Sequence, residues 1–143
     1  MNLHMKSLLS SSRILILIAV YGVFTVGLAT AAVEIGGKPT ARAVMDMAWG
    51  LILLWVIGAG VIMRIYRDRI RAFILRIEMG WRLKFVVFAT LLALIEEAIT
   101  TTMTNLAPLF GVRVGEAYIT ASANYLDVIL FHSVIIFIPM FIG

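Results

Sequence analysis

The chain of 143 residues contains no cysteine. Disulfide bonds, cysteine-ligated zinc, iron–sulfur clusters and a thiol nucleophile are therefore excluded. Charge is also scarce, since only 14% of the residues are Asp, Glu, Lys or Arg, against about 25% in a typical soluble domain. Because 62% of the residues are hydrophobic, a chain this short cannot enclose all its apolar surface in one water-soluble core. The composition predicts an all-α, polytopic helical membrane protein.

Four apolar segments are long enough to cross a bilayer, which takes about 20 predominantly apolar residues. They cover residues 14–33, 44–63, 85–104 and 125–142. The third segment is interrupted by Glu96 and Glu97, and the fourth carries Asp127 and His132. We therefore predict one membrane domain over residues 1–143 with about four transmembrane helices.

The basic residues are distributed unevenly between the two sides of this predicted membrane. Seven of the twelve Lys and Arg residues lie between Arg64 and Lys84, and Lys6 and Arg13 bring that side to nine, against three on the other side. Cytoplasmic loops carry an excess of Lys and Arg. The pattern therefore predicts both termini in the cytoplasm and a multi-pass protein of a prokaryotic inner (plasma) membrane.

Glycine and proline mark the predicted connections. Gly36-Gly37-Lys38-Pro39 predicts a turn between the first two spans, because Gly permits positive φ and Pro cannot extend a helix. Residues 105–124 contain Pro108, Gly111 and Gly115, which predicts a loop outside the core.

Two alternatives concern the ends of the chain. The first apolar run, with Ala29-Thr30-Ala31 near its end, has features of a cleaved signal peptide, although it is longer than the usual apolar region of about 7–15 residues. We favour an uncleaved anchor. The last run has no Lys or Arg after it, so either the fourth helix ends level with the headgroups or the chain is a fragment of a longer protein.

The middle loop, residues 64–84, is basic and amphipathic. Ile70, Phe73, Ile74 and Ile77 follow helical spacing, so the segment can lie at the membrane surface with its apolar face towards lipid. Anionic headgroups are the predicted partner, while an ordinary positive-inside loop is the alternative. Nucleic acid is not predicted as a partner, because apolar spans flank the cluster. The candidate headgroup ligands are Arg67, Arg71, Arg76, Arg82 and Lys84.

Glu96, Glu97 and His132 are the ionisable residues deepest in the predicted spans. The two glutamates follow Lys84 by about 18 Å of helix, and His132 follows Tyr125 by roughly 11 Å from the opposite side. In a hydrocarbon core of about 30 Å these depths coincide. Ionisable groups inside a bilayer normally face protein or water, so we expect the three to lie between the third and fourth helices.

Further polar side chains follow these residues along both helices. The candidate supporting residues are Thr100, Thr101, Thr104, Asn124 and Asp127. The group could act as base and proton relay, could pass protons or cations across the membrane, or could join the two helices by hydrogen bonds. One His and two adjacent Glu are a thin ligand set for a metal, and neither a metal nor a cofactor is predicted.

Glu96-Glu97, followed about 35 residues later by His132 in a second apolar helix, resembles the CAAX-protease and bacteriocin-processing family of intramembrane glutamate proteases. The resemblance implies that Glu96 or Glu97 activates water and that His132 supports it. Thr101 stands where the family motif has Arg, Val128 stands where it has Phe, and the third motif is missing.

Three functions are compatible with these features. The leading prediction is a non-enzymatic membrane subunit or scaffold, forming a homo-oligomer or part of a larger membrane complex. The alternatives are a small oligomeric proton or cation transporter and an intramembrane hydrolase of the glutamate type.

Overall fold

The computed structural model describes the backbone of residues 3–142 and the side chains of residues 13–141. Helices make up most of the described chain, and its one extended pairing is an isolated bridge between Val114 and Ala117. The predicted all-α class is therefore confirmed for these residues. The side chain of Lys6, one of the charges that predict the orientation, lies outside the described range.

The chain divides into two compact units, Met1–Lys38 and Pro39–Gly143. The first unit contains one long helix, α1 (Leu3–Gly36). Its apolar part begins at Arg13 and is 24 residues long with a mean hydropathy of 2.3, and none of its most apolar stretch is buried. Thr25 and Thr30 donate to backbone carbonyls one turn earlier, both at 2.8 Å. These bonds satisfy both hydroxyl donors within the helix.

The second unit contains the remaining helices. In chain order they are α2 (Pro39–Leu51), a π-helical stretch (Ile52–Ala59), α3 (Gly60–Ile65), α4 (Arg67–Arg76), α5 (Trp81–Asn105), a 3-10 turn (Ala107–Phe110), α6 (Tyr125–Val128), a second π-helical stretch (Ile129–Ser133) and α7 (Val134–Ile142). We refer to the continuous helix from Pro39 to Ile65 as the second helix, and to that from Tyr125 to Ile142 as the last helix.

The second helix is 27 residues long with a mean hydropathy of 2.0, and none of its most apolar stretch is buried. In the described part of the chain, it and the apolar part of α1 are the two helices long and apolar enough to cross a membrane. Pro39 opens the helix, where a missing N–H removes no intrahelical hydrogen bond. The helix ends at Tyr66, whose φ of −97° and ψ of 13° interrupt the helical path before α4.

Helix α5 contacts both α2 and the last helix. Between α5 and α2, a small core forms around Met47 and Met103. Residues of the loop that joins α5 to the last helix, residues 106–124, complete this core. The loop is therefore more than a solvent-facing connection, because its apolar side chains pack back onto the helices. Gly111 and Gly115, with φ of 80° and 93°, provide its left-handed turns. The buried members of the core are Ala43, Met47, Met103, Ala107, Val112 and Ala117.

The last helix runs antiparallel to α5. Tyr125, at its start, donates to the carbonyl of Leu94 at 2.9 Å. Near its end the ring of Phe141 meets that of Phe85 edge to face, with 6.0 Å between the centroids. Asn124 caps the helix, because its side chain accepts a hydrogen bond from the Leu126 amide. The Tyr125 hydrogen bond and the aromatic contact hold the two ends of the helix against α5.

Replacing Met47 by Ala should lower the free energy of unfolding by about 2–4 kcal/mol, because the change leaves a cavity in a packed core. Met47 is fully buried, whereas Met140 on the last helix is 59% exposed. Met140→Ala is the matched control and should change stability by less than about 0.5 kcal/mol. Unfolding of the full chain in detergent micelles, followed by circular dichroism, measures both. Equal losses would contradict the assignment of this core.

Candidate functional site

The carboxylate of Glu97 is the centre of the buried polar group. Glu97 lies on α5 and is only 8% exposed. Its Oε1 accepts a hydrogen bond from Ser133 Oγ at 3.0 Å. Its Oε2 accepts from Thr120 Oγ1 at 2.9 Å. It also lies 3.0 Å from Thr100 Oγ1, whose single proton is shared with the backbone carbonyl of Glu97, also at 3.0 Å. One side chain therefore connects α5, the loop and the last helix.

Each of the three hydroxyl donors reaches Glu97 for a different structural reason. Thr100 follows it by three residues on the same helix, a spacing that places two side chains on one face. Thr120 belongs to the loop, which two hydrogen bonds hold against α5. Thr104 Oγ1 accepts from the Ile119 amide at 3.4 Å, and Asn105 Nδ2 donates to the carbonyl of Ala123 at 2.7 Å.

The π-helical stretch Ile129–Ser133 decides which side chain of the last helix meets Glu97. Val128 is fully buried, and the next buried position is Ser133, five residues later. A regular α-helix would repeat this face after three or four residues, which would favour position 132. Hydrogen bonds five residues apart widen the turn, so that Ser133 points to Glu97. His132 is half-buried and is not among the hydrogen-bond partners of the carboxylate.

The other predicted site residues have separate environments. Glu96 is half-buried and, among the described residues, has no hydrogen-bond partner for its carboxylate. Asn124 caps the last helix and Asp127 is exposed. Thr101 and Thr104 are both buried. The Thr101 hydroxyl has no hydrogen-bond partner within the described chain.

The predicted headgroup ligands lie on and beside α4. Arg67, Arg71 and Arg76 are exposed on that helix. Arg82 is also exposed, and its guanidinium lies 5.4 Å from the centre of the Trp81 ring. Lys84 is half-buried near the start of α5.

The donor set around Glu97 limits the chemistry that this site can perform. Three neutral hydroxyls surround the carboxylate, and no cluster of three or more His, Cys, Asp or Glu that could hold a metal occurs within the described residues. A hydroxyl can both donate and accept. The same partners can therefore satisfy a carboxylate or a protonated carboxylic acid after the hydroxyls rotate.

No protein-family model matches this chain, and no curated protein or solved structure matches it at a significant level. The resemblance of Glu96, Glu97 and His132 to the intramembrane glutamate proteases stays a prediction. The geometry around Glu97 is therefore the main basis for a functional proposal.

Three residues of this arrangement lie outside the predicted site, namely Ser133, Thr120 and Tyr125. Ser133 is adjacent to the predicted His132, and only the π turn brings it to the interface. Thr120 belongs to a segment predicted to lie outside the core, and nothing in its local sequence indicates that it reaches α5. Tyr125 was predicted as the start of a span, a position at which a Tyr ring is common at the membrane interface.

Ser133→Ala should lower the free energy of unfolding by about 1 kcal/mol, because it removes one hydrogen bond to a buried carboxylate. His132→Gln, in the same turn, should have a smaller effect, because His132 does not bind Glu97. Unfolding of both variants in detergent micelles by added dodecyl sulfate measures the difference. A larger loss in His132→Gln would contradict the register described here.

Proposed function

We propose that this chain is a non-enzymatic membrane subunit or scaffold with four spans, in which Glu97 fastens the last two spans and their connecting loop together. The observation that carries the proposal is the occupation of the carboxylate by three hydroxyl donors from three segments. A catalytic base must be reached by its substrate or by water, whereas Glu97 is only 8% exposed. A carboxylate with this set of partners is better suited to joining helices.

The exposed apolar surface supports a membrane location for the second unit. Leu53, Val56 and Ile62 on the second helix are each more than half exposed, and so are Phe131 and Ile135 on the last helix. Side chains of this kind need lipid or a partner protein to cover them. We infer that two further helices also cross the bilayer. They are α5, which is 25 residues long, and the last helix, which is continuous from Tyr125 to Ile142. Both termini would then be cytoplasmic in a bacterial inner membrane.

The same surface supports the assembly part of the proposal. A small bundle with so much uncovered apolar area can associate with a second copy of itself or with other membrane helices. Association in lipid depends on close packing and on polar contacts between helices. A homo-oligomer or a subunit of a larger membrane complex is therefore the form in which we expect the protein to act.

A proton or cation pathway is the second candidate, and Thr101 is the observation that favours it. Its hydroxyl is buried without a described partner, and it lies one turn beyond Glu97 on α5. A water molecule bound there could pass a proton to or from the carboxylate. The hydrolase has less support, because His132 is not among the hydrogen-bond partners of Glu97 and Thr101 occupies the position of the family's Arg.

Glu97→Gln should lower the free energy of unfolding by about 1 kcal/mol and should leave proton flux in proteoliposomes at the lipid background. The amide offers one acceptor oxygen in place of two, so at least one hydroxyl must change its hydrogen bond. Glu96→Gln is the matched control and should leave stability unchanged or raise it, because its carboxylate has no described hydrogen bond to lose.

That experiment distinguishes the scaffold from the proton or cation pathway. A pH-driven flux in the wild type that disappears in Glu97→Gln, with stability unchanged, would overturn the scaffold proposal in favour of a pathway. Dye-based flux and thermal unfolding of the same preparations provide both readings.

Labelling of single cysteines should reveal the proposed orientation, because the native chain has no cysteine to interfere. Leu109→Cys lies in the loop after α5 and Glu78→Cys in the connection after α4, and both positions are exposed. In intact bacterial spheroplasts, a membrane-impermeant maleimide should label Leu109→Cys directly. It should label Glu78→Cys only after the membrane is permeabilised. Reversed labelling, or equal labelling at both positions, would refute the orientation.

A further inference from the structure

A groove lies at the bend between the second helix and α4. Its volume is about 400 Å³. The bend at Tyr66 brings the end of α3 beside one face of α4. Four apolar side chains and two arginines line the groove. They are Met63, Ile70, Ile74 and Leu75, with Arg67 and Arg71, which present almost only side-chain carbon atoms to the groove, so that their guanidiniums lie outside its lining.

The two arginines of the groove have no partner within the described residues. Both are exposed, and neither guanidinium takes part in a described hydrogen bond, ion pair or ring contact. Arg69, on the same helix, instead lies 5.8 Å from the centre of the Tyr66 ring. Arg67 and Arg71 are four residues apart, so their side chains project from neighbouring turns of one face. Two such guanidiniums can bind the oxygens of a single phosphate group.

The apolar lining distinguishes a lipid from a free phosphate ion. A phosphate ion would use only the arginines and would leave the apolar side chains uncovered. A phospholipid also brings acyl chains, which gain from contact with apolar surface. The local charge favours an anionic lipid, because residues 64–84 contain seven basic residues and two acidic ones, Asp68 and Glu78.

We propose that this groove binds one anionic phospholipid, with its phosphodiester held by Arg67 and Arg71 and an acyl chain lying along Met63, Ile70 and Ile74. The inference rests on the proposed membrane function, since it needs the end of α3 to lie at the level of the headgroups. A lipid bound in this groove differs from lipids attracted only by the net charge of the basic loop, because Arg67 and Arg71 bind it and the other arginines do not.

The test compares two double variants of the purified full chain in a neutral detergent. Arg67→Gln/Arg71→Gln removes the groove arginines. Arg69→Gln/Arg76→Gln removes the same charge from the same helix outside the groove. The ligands are phosphatidylglycerol, phosphatidylcholine, deacylated glycerophosphoglycerol and inorganic phosphate. Thermal stabilisation as a function of ligand concentration gives the half-saturating concentration, and native mass spectrometry counts the lipids that remain bound.

The wild type should be stabilised by phosphatidylglycerol and not by the other three ligands. The groove variant should need about tenfold more phosphatidylglycerol, because two charged contacts are lost, and should lose one bound lipid. The control variant should stay within about twofold of the wild type. Without lipid, the wild type and the groove variant should melt at the same temperature, because Arg67 and Arg71 are exposed and make no described contact. The control variant should melt at a slightly lower temperature, because it loses the contact of Arg69 with the Tyr66 ring.

Three results would overturn the groove assignment. They are equal weakening in both double variants, equal stabilisation by phosphatidylcholine, and equal stabilisation by phosphate or the deacylated headgroup. Extraction of the wild type from cell membranes by alkaline carbonate tests the proposed function separately. A chain released by carbonate would contradict the membrane location, whatever the binding measurements in detergent show.

Discussion

A carboxylate inside an apolar helix is the constraint on which the second unit depends. Removing an ionised carboxylate from water costs several kcal/mol unless other groups satisfy it. Glu97 is satisfied by Thr100, Thr120 and Ser133. These bonds require the loop to fold back onto α5 and the last helix to lie against it in one register. The positions of two further segments therefore follow from the requirements of one side chain.

Apart from the Glu97 cluster, four of the eight buried apolar side chains described in the second unit are alanines. Ala43, Ala107 and Ala117 are buried in the core between α2, α5 and the loop, and Ala93 is buried on α5. The large aliphatic side chains lie mostly on the outside. This distribution suits a bilayer, where close approach of backbones holds helices together and where lipid covers the aliphatic surface. Specific polar bonds are then the main means of fixing one arrangement, and the Glu97 cluster provides them here.

The sequence allowed the helices to be predicted more fully than the site. Long apolar runs identify helices because their signal is summed over many residues, and all four predicted segments lie within helices. The position of Glu97 at an interhelical contact follows from the cost of exposing it to lipid. The sequence did not predict that Ser133, and not His132, binds Glu97. This contact depends on a π-helical turn for which the local sequence has no recognisable pattern. Thr120 was missed because the hydrogen bonds that hold its loop against α5 join residues 15 and 18 positions apart along the chain.

The order in which the hydrogen-bonding groups are synthesised has a consequence for biogenesis. Thr120 follows Glu97 by 23 residues and Ser133 follows it by 36. At a synthesis rate of about 5–20 residues per second, Ser133 is synthesised more than a second after Glu97. In the proposed four-span arrangement, lipid would accommodate α5 poorly during that interval. We expect it to remain beside the translocation channel until the last helix emerges, so that the two helices leave the channel as a pair.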